Sequence, residues 1–134
     1  MRRNYGFTLL ELLVVMVIIG LLVSYVGPRY FSQLGKSEVK ATRAQIVGFA
    51  KALDTYRLDT GHYPSGDNGL QALRISPANE SKWQGPYLDK DVPLDAWGNS
   101  YIYQNPGEKN EYDLISLGKD GREGGSNEDA DITN

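Results

Sequence analysis

Cysteine is absent from this chain of 134 residues. That excludes a disulfide framework and any thiolate metal site; if the domain is extracytoplasmic, something other than disulfides must reinforce its small core. Histidine occurs once, as His62, with no second histidine or cysteine to share a metal or a catalytic proton. Positive charge is scarce: the formal net charge is -3, and without Arg2 and Arg3 of the extreme amino terminus 12 basic residues face 17 acidic ones, a balance of -5. Nucleic acid is therefore not an expected partner, because binding it requires clustered positive charge. No phosphate-binding loop is present. Long apolar runs are missing beyond residue 30, and the length suits one modest domain.

What apolar sequence there is collects at the start. Residues 7–27 read FTLLELLVVMVIIGLLVSYVG, with Glu11 as the one charge. As a helix these residues span roughly 31 Å, enough for the hydrocarbon core of a bilayer. The polar remainder could not wrap such a segment as a buried core helix. A secretory signal is a poor fit, since the run is long and Ser24-Tyr25-Val26-Gly27 does not form a small-x-small site. Arg2 and Arg3 place the amino terminus in the cytoplasm by the positive-inside rule, with the soluble part across the membrane. Glu11 is costly in that setting and is a functional candidate. Two readings stay open on physical grounds. A cut before Phe7 would create an α-amine able to neutralise Glu11 of a neighbouring copy, or Glu11 snorkels to the membrane edge.

Beyond the run, Gly27-Pro28 is expected to interrupt or kink the helix, with Gly20 a second weak point. Residues 29–58 resume a helical pattern in which Ile46, Phe49, Ala50, Leu53 and Tyr56 form one apolar stripe. Gly61 caps it, with Pro64 beyond. Residues 62–98 read as a long loop holding one short helix at 69–74, with Trp97 and Tyr63 closing the loop onto the helix. Strands are expected at 100–104 and 112–116, with a weak third near 86–89. The carboxyl end reads DGREGGSNEDADITN from Asp120, with five acids and three glycines by Asp131. It is either a frayed acidic tail or a turn-rich loop of hard oxygen donors suited to calcium. Its spacing is not that of an EF-hand.

Gly6-Phe7-Thr8-Leu9-Leu10-Glu11, behind a short basic leader and ahead of an apolar helix, resembles the type IV prepilin signature. Asp59-Thr60-Gly61-His62-Tyr63-Pro64, Gly69-Leu70-Gln71-Ala72-Leu73, Asp95-Ala96-Trp97-Gly98 and Asp113-Leu114-Ile115-Ser116-Leu117-Gly118, followed by Asp120-Gly121, resemble in order and spacing the major pseudopilins of type II secretion. Asn68 and Ala96 depart from that pattern, where Gln and Pro are usual.

The resemblance implies a leader (1–6) cut between Gly6 and Phe7 by the prepilin peptidase, N-methylation of Phe7, a transmembrane helix (7–28) and a periplasmic globular domain (29–134). It implies an α+β fold, a long helix packed on a small antiparallel sheet with a long loop between them and a calcium loop at the carboxyl end. Glu11 would pair with the amine of an adjacent subunit, and the segment between Gly20 and Pro28 could unwind in the filament. The calcium ligands implied are the carbonyls of Leu117 and Arg122 and the carboxylates of Asp120, Asp129 and Asp131. The implied role is structural rather than enzymatic: a homo-oligomeric helical filament anchored in the inner membrane. Its partners would be the minor pseudopilins and the inner-membrane assembly platform. A subunit of an extracellular type IV pilus is the alternative, and a metal-assisted hydrolase or a monomeric anchored sensor are more distant ones.

Overall fold

The computed structural model describes residue 1 and residues 3–134; Arg2 of the leader lies outside the described residues. The chain divides into two compact units, Met1–Gly35 and Lys36–Asn134. One helix, α1 (Leu9–Thr60), contributes to both.

The expected interruption at Gly27-Pro28 does not occur. Helix runs through Pro28. The ring of a proline normally collides with the Cβ of the residue before it, and Gly27 has none. Two defects remain: the missing N–H leaves the Ser24 carbonyl without its usual donor, and the ring crowds that same carbonyl. In the first unit α1 presents an unbroken apolar surface: an 18-residue window has mean hydropathy 2.7 and none of it is buried.

In the second unit α1 buries the stripe read from its period. Ile46, Phe49, Leu53 and Tyr56 are all at most 4% exposed, and Ala52 joins them where Ala50 was expected, Ala50 being only half-buried. The helix ends at Gly61, whose positive φ of 88° lets its N–H reach the Arg57 carbonyl at 2.7 Å. A 3-10 turn at Gly69–Leu73 then buries Leu70, Ala72 and Leu73. Trp83 Nε1 donates to the Ala72 carbonyl at 2.8 Å, and the Tyr87 N–H to that of Leu73 at 2.7 Å.

The sheet is antiparallel in the order β1 (Ile102–Gln104), β2 (Asp113–Ser116), β3 (Ile132–Thr133). The weak strand expected at 86–89 is absent, since Tyr87 is held by a single bond to the 3-10 turn. The third strand comes instead from the carboxyl end. Leu114 and Ile132, 0% and 3% exposed, are the strand residues that complete the core.

Candidate functional site

Two places carry the residues singled out by sequence. The first is the start of α1. Residues 3–8 precede regular structure, and Phe7 is 86% exposed, so the Gly6–Phe7 bond lies outside the helix. Thr8 caps α1 in a reciprocal arrangement: the Thr8 N–H donates to Glu11 Oε2 at 2.8 Å, and the Glu11 N–H to Thr8 Oγ1 at 3.2 Å. This is a capping box, two orphan donors of a helix start satisfied by each other's residues. It also places the Glu11 carboxylate at the positive end of the helix dipole. Glu11 therefore has a partner within its own chain, which neither open reading of it contained. The T-x-x-E spacing ahead of an apolar run was the signal for it.

The second place is the carboxyl-terminal loop. The turn after β2 places Gly118 at a φ of 75°, with the carbonyls of Glu128 and Ala130 so close that a Cβ there would lie 2.8 and 2.9 Å from them. Lys119 bridges the loop twice, its N–H to the Glu128 carbonyl at 2.9 Å and its ammonium to Glu128 Oε2 at 3.1 Å. That hydrogen bond and the Glu128 charge raise the Lys119 pKa. The Arg122 N–H donates to Asp120 Oδ1 at 3.0 Å and the Gly124 N–H to Asp131 Oδ2 at 3.1 Å.

The segment is no frayed tail. It forms a 3-10 turn at Asn127–Asp129 and then β3, and Asn134 Oδ1 accepts the Leu114 N–H at 2.9 Å.

Of the expected calcium ligands, Asp120 and Asp129 line one depression of about 510 Å³ together with Lys119, Ser126, Asn127 and Glu128. Asp131 does not line it; its carboxylate is turned to Gly124. Among the described residues no three carboxylates or imidazoles converge closely enough to grip an ion. The donor chemistry fits calcium in kind, since Asp120, Asp129, Glu128, Ser126 and Asn127 all offer hard oxygen. Lys119, Glu128 and Asn99 were not foreseen from sequence. Asn99 Nδ2 donates to the Gly118 carbonyl at 3.2 Å, and its N–H to Asp95 Oδ1 at 2.8 Å. Asp95 Oδ2 accepts the Ser116 hydroxyl at 2.7 Å. The loop is thereby tied to the Asp95–Asn99 turn, which is itself tied to α1 through Ala96 and Trp97.

His62 is held by two polar contacts. Its ring nitrogens face the Tyr63 carbonyl at 2.9 Å and Glu80 Oε2 at 2.8 Å, and the group closes the loop after α1.

The two places correspond to two family models. Residues 1–26 match the prokaryotic N-terminal methylation motif, and residues 29–134 match type II secretion system protein G. The chain is 44% identical to the type II secretion system core protein G of Pseudomonas aeruginosa, over 99% of this chain and 96% of that one. It is 46% identical to the protein of the same name from Escherichia coli K12, over 98% and 91%. The crystal structure of the major pseudopilin from the type 2 secretion system of enterohaemorrhagic Escherichia coli superposes with a TM-score of 0.65 at 30% identity, over 78% of this chain and 91% of that one.

Proposed function

Because this chain belongs to the type II secretion system protein G family, the major pseudopilins, we propose that it is made as a precursor, cut between Gly6 and Phe7 by the prepilin peptidase, N-methylated on Phe7 and polymerised into a periplasmic filament. It is a core structural subunit of the type II secretion pseudopilus. The observation that carries the reading is the adjacency of the two family matches, a methylation motif joined directly to a protein G domain across one chain. The apolar first half of α1 anchors the chain in the inner membrane as a single span, with the globular unit in the periplasm. The positive leader and the exposed 18-residue apolar window support that orientation.

Cleavage creates an ammonium on Phe7, next to the capping box. In the unassembled subunit Glu11 is held by the Thr8 N–H. Pairing with the amine of an adjacent copy exchanges that neutral donor for a cationic one and adds the attraction between two full charges, which is large where water is excluded. The exchange favours assembly inside an apolar helix bundle. The filament pushes folded proteins across the outer membrane. It works with the minor pseudopilins and an inner-membrane platform, and its own role is mechanical rather than enzymatic.

Calcium is the ion we propose for the carboxyl-terminal loop. Asp120 and Asp129 would hold it, with the Leu117 and Arg122 carbonyls and Asp131 as further oxygen donors. Bound at about a thousand times its dissociation constant, it would add roughly 4 kcal/mol, a large share of the stability of a small domain without disulfides. A thermal melt of the full chain in detergent, with calcium and with chelator, tests this. Coincident midpoints, together with an Asp120→Ala variant that melts like the parent, would remove calcium from the account.

Deletion of the gene tests the function. Loss of secretion with normal twitching and attachment is the expected result. Normal secretion with lost twitching would assign the chain to a surface pilus instead.

A further inference from the structure

The outer end of the apolar segment carries a group of side chains that neither processing nor the carboxyl-terminal loop uses. Tyr25, Tyr30 and Phe31 are 64%, 63% and 68% exposed. The Arg29 guanidinium lies over the Tyr25 ring at 4.9 Å, and Tyr30 and Phe31 meet edge-on at 5.9 Å. Among the described residues Arg29 has no carboxylate partner.

Two independent features place this group at a membrane–water boundary. From Leu9 to Pro28 the helix rises roughly 30 Å, the thickness of the hydrocarbon core, so Arg29 is the first residue out. Tyrosine rings with an apolar body and a polar tip settle at headgroup depth.

The Tyr25–Arg29 pair has helical i, i+4 spacing, so both side chains share one face. The guanidinium lies with its carbon over the ring at 4.9 Å, a cation–π contact that uses no N–H donor. Its N–H groups lie in its plane and stay free to fork onto two oxygens of one anion.

We propose that Tyr25, Arg29, Tyr30 and Phe31 form an interfacial collar in which Arg29, steadied on the Tyr25 ring, binds the phosphate of an anionic phospholipid in the leaflet facing the globular unit. The inference rests on α1 spanning a membrane. The collar fixes the depth of the anchor and holds each subunit against that leaflet until it is extracted into a filament.

The test uses the full chain in vesicles of phosphatidylcholine alone or mixed with phosphatidylglycerol, followed by flotation and by native mass spectrometry of the lipids retained. Wild type should float with both and retain phosphatidylglycerol in preference to phosphatidylcholine. Arg29→Gln should lower that preference about fivefold, the factor for one basic group near an anionic surface. Arg29→Lys should restore part of it, and Tyr25→Leu should lower it with the charge intact. Arg3→Gln controls for the leader. A preference that survives Arg29→Gln, or that vanishes only with Arg3→Gln, overturns the collar. Failure to float with either vesicle would instead overturn the membrane span on which it rests.

Discussion

Gly118 offers a quantitative test of how the carboxyl-terminal loop is built. Four loop glycines have positive φ: Gly118 at 75°, Gly121 at 65°, Gly124 at 85° and Gly125 at 92°. Alanine at any of them incurs the left-handed backbone penalty, roughly 1–2 kcal/mol. The surroundings then separate them. A Cβ at Gly124 meets nothing within 4 Å, and one at Gly121 only the Asn99 side chain at 3.6 Å. At Gly118 it would lie 2.8 Å from the Glu128 carbonyl and 2.9 Å from that of Ala130, and at Gly125 it would lie 2.5 Å from that of Asp129. Those contacts are backbone and cannot rotate away, so the 128–130 segment must move. Its movement breaks the Lys119 N–H bond to Glu128, worth about 1 kcal/mol.

Gly118→Ala and Gly125→Ala should therefore cost about 2–3 kcal/mol, and Gly121→Ala and Gly124→Ala about 1–2 kcal/mol, a gap of about 1 kcal/mol. For a unit of this size 1 kcal/mol shifts the midpoint by about 4–8 °C, so the two classes are resolved in thermal melts of the full chain followed by circular dichroism. The series is run with calcium and with chelator, so that a change in ion affinity is separated from strain. Equal shifts at all four positions, or a Gly118→Ala shift no larger than that of Gly124→Ala, would refute the packing of the 128–130 carbonyls against the turn.

Ala96→Pro should destabilise rather than stiffen. The Ala96 N–H donates to Thr42 Oγ1 at 3.2 Å, and Thr42 is fully buried; losing that donor costs about 1–3 kcal/mol, more than the 0.4–1 kcal/mol or so that proline gains from a stiffer unfolded chain. A melt that rises would contradict this, and a double variant with Thr42→Val should cost less than the two singles added. Asp113 is buried, which opposes its charge, yet the N–H groups of Lys109 and Glu108 and the Asn110 side chain prevail and hold its pKa below the usual carboxylate value. A depressed folded pKa contributes stability above the unfolded value, near pH 4, and loses it as pH falls through the folded one. Asp113→Asn should melt lower at neutral pH and lose less between neutral and acid, and parallel pH profiles for parent and variant would contradict that. Burial pushes Tyr101 and Tyr112 up to about 12 and Tyr103 higher still. Their neutral forms stabilise the fold fully below about pH 10, with loss as pH rises through the folded values. Ultraviolet titration should show these three ionising together with unfolding, and independent ionisation in a folded chain would be the contrary result.

Legibility from sequence followed the range of the interaction. The long exposed apolar helix at the start of the chain could be read because the uninterrupted apolar run at 7–27 leaves helix as the structure that satisfies its backbone. The stripe Ile46, Phe49, Leu53, Tyr56 could be read because helical period is local. β3 could not: two residues carry no period, and Ile132–Thr133 becomes a strand only because β2 offers it an edge and Asn134 bonds back to Leu114 and Tyr112. At Pro28 the helix is continuous rather than interrupted, and Gly27, lacking a Cβ, removes part of the clash that a proline imposes on the residue before it. At the carboxyl-terminal loop the residue types were legible and their directions were not. Whether Asp131 faces the depression beside Asp120 or the Gly124 N–H depends on a turn conformation set by Gly124 and Gly125.

Ala96 and Glu11 show the same thing from opposite sides. At Ala96 the familiar proline suggested a question of rigidity, and the structure answers with a hydrogen bond that a proline could not make. At Glu11 the cost of a charge in a membrane directed attention to a partner in another subunit, while the nearest donor was the backbone three residues away. A buried or membrane-embedded polar group is satisfied first by whatever lies within its own turn, and longer-range partners must compete with that. For Glu11 the competitor is a neutral N–H, so a full positive charge is the partner best able to displace it, and under the proposed function the chain gains one beside the capping box only when the bond before Phe7 is cut. On that proposal assembly through Glu11 would depend on processing for an energetic reason: before the cut, the carboxylate already has a partner within its own turn.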